Sequence, residues 1–156
     1  MIYKSIFSSP LGFLEICADS GDAVSRIYFT STPSRNFTES EVTKRAALQL
    51  EEYFQGKRRS FDFPMQPEGT EFEKEVWRAC TEIPYAESLS FKELAANIGD
   101  DKAAKKVGLA VDKNPVFIAV PTHRVKGKTN FLAGFSTEAA LKEALLGMEV
   151  NFEKRK

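Results

Sequence analysis

The chain has 156 residues, enough for one domain of average size or two small ones, and its 42% hydrophobic content excludes a disordered protein. Its 22 basic and 22 acidic side chains balance, so the overall charge indicates no class of partner. Two cysteines exclude a disulfide framework, and without an apolar leader or an apolar stretch of about 18 residues we expect a cytoplasmic protein with no membrane partner.

The first third of the sequence predicts three short strands. The apolar segments 2–7, 12–18 and 24–29 are separated by turn-forming residues, a pattern typical of an antiparallel meander. A helix is expected next, because Thr38 and Glu41 have the spacing of a capping box. The apolar residues after them recur at helical spacing, namely Val42, Ala46, Leu50, Tyr53 and Phe54.

A linker through Pro67 and Gly69 predicts a domain boundary near residue 66, with an N-terminal α/β domain over residues 1–66. Residues 67–156 read as a second, mainly helical domain, so the predicted fold class is α+β: a three-stranded antiparallel sheet with a helix, then helices. Thr70 has Glu73 three residues later, which predicts a helix start. The final helix is expected over residues 136–149.

Two short helices in this second domain outline a helix-turn-helix. Ser90 opens the first helix with a further capping box, and Gly99 closes it. Asp100 or Asp101 is placed to cap the second helix, which is predicted over about 102–111. Two short helices joined by a tight glycine-containing turn are typical of this DNA-binding motif.

The second helix opens a basic segment inside the neutral chain. Residues 65–101 carry nine acidic and three basic side chains, whereas residues 102–128 carry one acidic and seven basic ones. Such a segment attracts phosphates, and the alternative is a solvated helix face. The basic residues are Lys102, Lys105, Lys106, Lys113, Arg124, Lys126 and Lys128.

The densest polar constellation consists of Asn114-Pro115 followed by Pro121-Thr122-His123-Arg124-Val125. His123 is the only histidine of the chain. A lone histidine is more often structural than catalytic, but this one follows an apolar run and abuts Arg124, which favours a functional role.

From Gly69 to Glu149 the sequence resembles the C-terminal domain of the O6-alkylguanine-DNA alkyltransferases, or methylated-DNA–protein-cysteine methyltransferases. The matching segments are GTEFEKEVWRACTEIPY, SFKELAANIGDDKAAKKVG, KNPVFIAVPTHRV and LKEALLGME, and SSPLGFLEI resembles the smaller α/β domain. The resemblance implies a helix-turn-helix that enters the minor groove and flips the lesioned guanine into a pocket. It also implies a cysteine, activated by a histidine through a water and a glutamate, that accepts the alkyl group irreversibly.

Part of this apparatus has counterparts in the sequence. By resemblance, His123 and Glu149 match the histidine and glutamate of the relay, and Asn114 matches the asparagine that braces the turn before the active-site strand. Thr122 stands at the position of the acceptor cysteine. Arg124 matches the arginine after the histidine, and we group it with the DNA-contacting residues.

Other departures lie at the DNA-binding end. Lys105 replaces the arginine finger, Lys106 replaces a small residue, and Phe91 replaces the tyrosine whose hydroxyl helps to rotate the target phosphate. With Lys102, these residues form the predicted DNA contact. In the lesion pocket, Phe135-Ser136-Thr137-Glu138 replaces Tyr-Ser-Gly-Gly, so Phe135, Ser136 and Glu138 are the expected pocket residues.

The expected function is therefore that of a non-catalytic alkyltransferase-like protein, which binds double-stranded DNA and recognises O6-alkylguanine for repair. We expect no cofactor, and one histidine with two distant cysteines offers no ligand set for a metal ion. The sequence indicates no particular protein partner. The alternatives are a DNA-binding module without lesion specificity, a scaffold or regulatory protein that no longer binds DNA, and an enzyme in which Thr122 is the nucleophile.

Overall fold

The computed structural model describes residues 2–126 and 137–155, with residues 137 and 138 described by their backbone only. The chain forms two compact units. The first comprises Met1–Glu68 with Pro115–Ala119, and the second comprises Gly69–Asn114 with Val120–Lys156. No helix in these described ranges is long and apolar enough to cross a bilayer.

The first unit contains the predicted three-stranded antiparallel sheet. Its strands are β1 (Tyr3–Ser9), β2 (Gly12–Ala18) and β3 (Arg26–Thr30), in the order β1-β2-β3. Ser9 pairs directly with Gly12, so the first hairpin has a two-residue loop. The meander is confirmed.

Helix α1 (Glu41–Phe54) follows the sheet and buries the predicted apolar face, since Val42, Ala46 and Leu50 are all buried. Its cap differs from the expectation. Ser40 is the N-cap, and its hydroxyl accepts a hydrogen bond from the Thr43 amide at 3.3 Å. Thr38 does not cap because its carbonyl accepts a hydrogen bond at 2.8 Å from the Lys4 amide, which holds Thr38 in an extended bridge beside β1.

The apolar run after residue 114 belongs to the first unit, although the boundary near residue 66 assigns it to the second domain. The Ile27 amide donates to the Pro115 carbonyl at 2.9 Å, and the Phe117 amide donates to the Ile27 carbonyl at 3.1 Å. The ring of Phe117 meets that of Phe29 edge-on, with 5.6 Å between centroids. Residues 115–119 therefore extend the apolar core beside β3.

A buried carboxylate ties a loop of the first unit to its sheet. Glu15 on β2 is 2% exposed, and its oxygens accept hydrogen bonds from the Ser34 amide at 2.8 Å, from Lys4 Nζ at 3.0 Å, and from the Tyr28 hydroxyl. Burial alone would raise the pKa of Glu15, but the hydrogen bonds from Tyr28, Ser34 and Lys4 outweigh it and lower the pKa to about 2. The carboxylate of Glu15 is therefore ionised in the folded protein near neutral pH.

The variant Glu15→Gln is expected to reduce the free energy of unfolding at pH 7 by about 2–3 kcal/mol, because it removes hydrogen bonds to a charged acceptor. Since the folded pKa lies below the unfolded one, this stabilisation is present above about pH 4.5 and is lost as the pH falls towards 2. Urea denaturation at pH 7 and pH 3 measures it. Glu41→Gln, at a side chain that is 97% exposed, is the control, and equal effects of the two variants would contradict the prediction.

The second unit is mainly helical, as predicted. The capping box of Thr70 and Glu73 is confirmed at the start of its first helix. Two short parallel strands, which the sequence did not predict, pair with each other. Its elements are α2 (Glu71–Thr81), β4 (Leu89–Ser90), α3 (Phe91–Asn97), α4 (Ala104–Asp112), a 3₁₀ turn (Thr122–Arg124), β5 (Val125–Lys126) and α5 (Thr137–Lys154).

Helices α3 and α4 form the expected pair of short helices joined by a tight turn. Gly99 has φ of +88°, a left-handed conformation that favours glycine, and it lets the Asp100 amide bond back to the Ala95 carbonyl at 3.0 Å. The predicted cap of α4 is wrong. Its N-cap is Ala103, without a side-chain hydrogen bond, because the Asp100 carboxylate instead accepts at 3.3 Å from the Lys102 amide inside the turn.

The last helix reaches Lys154, five residues beyond the predicted end at Glu149. Its predicted first residue, Ser136, lies outside the described residues. Cys80 is buried in α2, and burial raises the pKa of its thiol to about 12. Burial raises the pKa of Cys17 as well, so both cysteines are packed as apolar core residues.

Candidate functional site

A buried hydrogen-bond network in the second unit brings together residues from the 3₁₀ turn and from α5. Glu149 has no exposed surface, and one of its carboxylate oxygens lies 2.6 Å from His123 Nε2. Arg124 donates to the same carboxylate twice, from Nε at 2.9 Å and from a terminal nitrogen at 3.0 Å. This is the two-pronged geometry that pairs a guanidinium with a carboxylate most strongly.

The turn after α2 completes the network. The Ala86 amide donates to Glu149 at 2.9 Å, and the Ile83 carbonyl accepts from Arg124 at 2.8 Å. Ala86 has φ of +67°, a conformation that costs a non-glycine residue about 1–2 kcal/mol. The ring of Tyr85 lies 5.6 Å from the guanidinium of Arg124, so this turn surrounds the ion pair on several sides.

These surroundings decide the protonation of His123, which is 2% exposed. Burial lowers the pKa of His123, and the positive charge of Arg124 acts in the same direction, while Glu149 opposes them. The imidazole is therefore neutral near pH 7. Because Glu149 accepts hydrogen bonds from Arg124 and Ala86, we assign it as the acceptor from His123 too, which places the proton of the neutral ring on Nε2. A neutral imidazole of this kind is suited to act as a base.

Thr122 precedes this histidine in the same turn and is 1% exposed. Its hydroxyl accepts a hydrogen bond from Asn114 Nδ2 at 3.0 Å, and the same amide donates to the Val120 carbonyl at 2.9 Å. Asn114 thus braces the segment that leads into the turn, as the sequence resemblance implies. The structure thus places Thr122, which is held by the half-buried Asn114, directly before the buried pair of His123 and Glu149.

Arg124 belongs to the buried network around Glu149 and does not lie on the surface. The sequence groups it with the DNA contacts, but its side chain is only 6% exposed and donates hydrogen bonds to Glu149 and to the Ile83 carbonyl. A guanidinium that neutralises a buried carboxylate does not reach a phosphate. Its role in this structure is to hold Glu149.

The lysines predicted to contact DNA lie on the surface. Lys105 and Lys106 are exposed on α4, and Lys102 is exposed in the turn before it. Phe91 is half-buried, and its ring packs against α4 at Gly108, where a Cβ atom would come within 3.0 Å of it. Phe91 thus has a packing role between α3 and α4, and its contact with DNA stays a prediction.

The predicted lesion pocket falls mostly outside the described ranges. Phe135 and Ser136 lie outside the described residues, and only the backbone of Glu138 is described, in the first turn of α5. Within residues 2–126 and 137–155, no group of three or more side chains is arranged to hold a metal ion. Sequence reasoning missed the backbone partners Ile83 and Ala86, because a carbonyl or amide contact leaves no mark in residue type.

Family models match both parts of the chain. Residues 71–151 match the 6-O-methylguanine DNA methyltransferase, DNA binding domain, and residues 2–67 match its ribonuclease-like domain. The chain belongs to the O6-methylguanine DNA methyltransferase family. It is 40% identical over 154 residues to the methylated-DNA–protein-cysteine methyltransferase of Methanosarcina acetivorans, which covers 95% of this chain and 98% of that protein.

Solved structures of the family share the fold. The O6-methylguanine methyltransferase of Mycobacterium tuberculosis superposes with a TM-score of 0.85 at 32% identity, over 97% of this chain and 94% of that one. Mycobacterium tuberculosis OGT in complex with DNA gives a TM-score of 0.83 at 35% identity, over 96% and 94% of the two chains. The α+β fold expected from the sequence is thereby confirmed.

The single histidine makes the relay directly measurable. We expect the pKa of His123 to lie below the usual value of about 6.5, because burial and Arg124 disfavour the imidazolium. Two-dimensional NMR of the imidazole nitrogens gives this pKa without assignment ambiguity, and a value at or above 6.5 would contradict the network described. Stability should also fall as the pH drops below 6.5, where the unfolded chain takes up the proton first. His123→Asn, which has no imidazole, is the control for that loss.

Proposed function

We propose that this protein is a non-catalytic member of its family: it binds double-stranded DNA, recognises O6-alkylguanine and does not accept the alkyl group itself. The observation that carries the proposal is the residue that precedes His123 in the buried turn: it is Thr122, whose hydroxyl accepts a hydrogen bond from Asn114 at 3.0 Å. By sequence resemblance this is the position of the acceptor cysteine.

The chemistry of alkyl transfer separates threonine from cysteine. Attack on a saturated carbon requires a soft nucleophile, and a thiol with a pKa of about 8.5 is readily converted to thiolate by an adjacent base. An aliphatic hydroxyl is far harder to ionise, and a neutral imidazole does not deprotonate it to a useful extent. Cys17 and Cys80 are no substitutes, because burial raises the pKa of both thiols.

The intact relay is compatible with loss of the reaction. Glu149 is held by donors from Ala86, His123 and Arg124, and removing one partner of such a buried pair costs about 3–5 kcal/mol. The network therefore has a structural reason to persist in a protein that no longer transfers alkyl groups. Its presence supports the fold without requiring the chemistry.

The surface of α4 supports the DNA-binding part of the proposal. Lys102, Lys105 and Lys106 are exposed and lie within or just before the second helix of the helix-turn-helix. Lysine ammonium groups bind phosphates as point charges and release counterions from the duplex. The match of residues 71–151 to the family's DNA binding domain agrees with this assignment.

A second candidate is DNA binding without preference for the lesion. Two features favour it: Lys105 has no planar guanidinium to stack on a base, and the ring of Phe91 packs on Gly108 without a hydroxyl to offer a phosphate. Both candidates share the duplex as ligand, and they differ in whether an alkylated guanine strengthens binding.

The alkyl-transfer part is tested at Thr122. Incubation of the protein with excess duplex containing O6-methylguanine should leave its mass unchanged, whereas Thr122→Cys should gain the mass of one methyl group, because the relay is already in place. Thr122→Ser is the matched control and should stay unmodified. A methyl adduct on the wild-type protein would overturn the non-catalytic assignment, and a folded Thr122→Cys variant without an adduct would contradict the acceptor position.

The binding part is tested by titrating matched duplexes, with and without O6-methylguanine, across a range of salt. We expect tighter binding to the lesion duplex, and a steep loss of affinity with salt for both, since each phosphate neutralised contributes about −0.9 to the slope of log K against log salt. Equal affinities would favour the second candidate. Absence of binding at low salt would overturn both and leave the scaffold alternative.

A further inference from the structure

We propose that Leu109, on the outer face of α4, makes an apolar contact with the bases or sugars of bound DNA, flanked by three lysines. The inference rests on the DNA binding proposed above and assigns a residue that the lysines alone do not suggest. Leu109 is 57% exposed although its neighbours Gly108 and Ala110 are buried.

Helical spacing places three lysines and one aspartate, Asp112, beside this leucine. Residues three and four positions apart are neighbours on a helix surface, with about 5–6 Å between their Cβ atoms. Lys105 and Lys106 precede Leu109 by four and three positions, and Lys113, which caps the helix, follows it by four. Lys105 and Lys106 are exposed, and the side chain of Lys113 is 69% exposed.

The acidic groups near this face do not cancel its charge. Asp112, three positions after Leu109, lies 3.9 Å from the ammonium group of Lys142 on α5. Glu73, whose side chain is 15% exposed, lies 3.6 Å from Lys113 and offsets part of its charge, so most of the positive charge of this face comes from Lys105 and Lys106. The face therefore combines one apolar side chain with a net positive rim.

A second exposed leucine shows that exposure alone does not create such a surface. Leu48 on α1 is 56% exposed, nearly the same as Leu109. Its neighbours at the corresponding four positions are of mixed sign and cancel, namely Lys44, Arg45, Glu51 and Glu52. A singly exposed leucine needs no explanation, but one flanked by three lysines on the helix proposed to contact DNA fits a specific ligand.

Double-stranded DNA matches this pattern better than a membrane does. The duplex presents two rows of phosphates on either side of a groove lined by sugars and base edges, so lysines at the rim and leucine at the centre meet complementary groups. Proteins that bind the minor groove often insert an apolar side chain, leucine among them, between base steps. An interfacial membrane helix needs a broad apolar face, which one leucine on a nine-residue helix does not provide.

Salt dependence separates the leucine from the lysines. Leu109→Ala should weaken binding to an unmodified duplex about five- to tenfold at every salt concentration, because it removes apolar contact without removing charge. The slope of log K against log salt should stay unchanged. The double variant Lys105→Ala/Lys106→Ala should instead make that slope shallower by about 1.8.

Two controls keep the test specific. Leu48→Ala should bind as the wild type does, and Leu109→Met, which keeps an apolar side chain of similar size, should restore the affinity. Circular dichroism should show the fold of Leu109→Ala unchanged, since the substitution is exposed and alanine favours a helix.

The outcomes distinguish this inference from the function on which it rests. If the wild type binds duplex and the lysine variant changes the slope, but Leu109→Ala binds as tightly as the wild type, the leucine contact is overturned and DNA binding stands. If the wild type does not bind duplex at low salt, the proposed function itself fails. A parallel loss for Leu48→Ala would also overturn the assignment to α4.

Discussion

The fold of the second unit depends on the hydrogen bonds and the ion pair of a single buried carboxylate. Glu149 is fully buried, and its charge is compensated by the guanidinium of Arg124, the imidazole of His123 and the amide of Ala86. These partners come from different parts of the chain, so the ion pair fixes α5, the 3₁₀ turn and the turn after α2 by one set of contacts. A buried charge without those partners would destabilise the unit by several kcal/mol.

This dependence gives the hydrogen bonds of the turn a structural role. A histidine hydrogen-bonded to a buried glutamate has the form of a catalytic relay, yet here the same bonds hold the fold together. Under the proposed function, the residue that distinguishes catalysis from binding is the one before His123, namely Thr122, whose hydroxyl accepts from Asn114. Under the same proposal, the buried ion pair and the nucleophile are separable, so a family member can keep the first and change the second.

The sequence predicted the elements whose signals are local. Thr70 with Glu73 identified a helix start, and the alternation of apolar segments identified the sheet, because capping and pleating depend on nearby residues. The sequence pattern favours Thr38 as the cap of α1, whereas the structure has Ser40. Only the pairing of Thr38 with β1 decides between the two residues. Tertiary contacts of this kind have no local signature.

The site was predictable in membership but not in arrangement. Resemblance groups Asn114, His123 and Glu149. In the structure His123 pairs with Glu149, whereas Asn114 pairs with Thr122, the residue before His123. An arginine within a basic segment predicts a contact with DNA phosphates. In the structure, however, Arg124 is buried and pairs with Glu149. Whether an arginine faces solvent or a buried carboxylate depends on residues 25 positions away in the sequence.

The placement of residues 115–119 beside β3 has a consequence for how the protein is made. The first unit is not continuous in sequence: its core includes Val116 and Ile118, which are buried, yet they are synthesised after α2, α3 and α4. A nascent chain that ends near residue 68 lacks a piece of its own interior. The N-terminal unit can therefore complete its core only after residues 69–114 have been synthesised, because the hydrogen bonds of Ile27 join it to residues about 90 positions later in the chain.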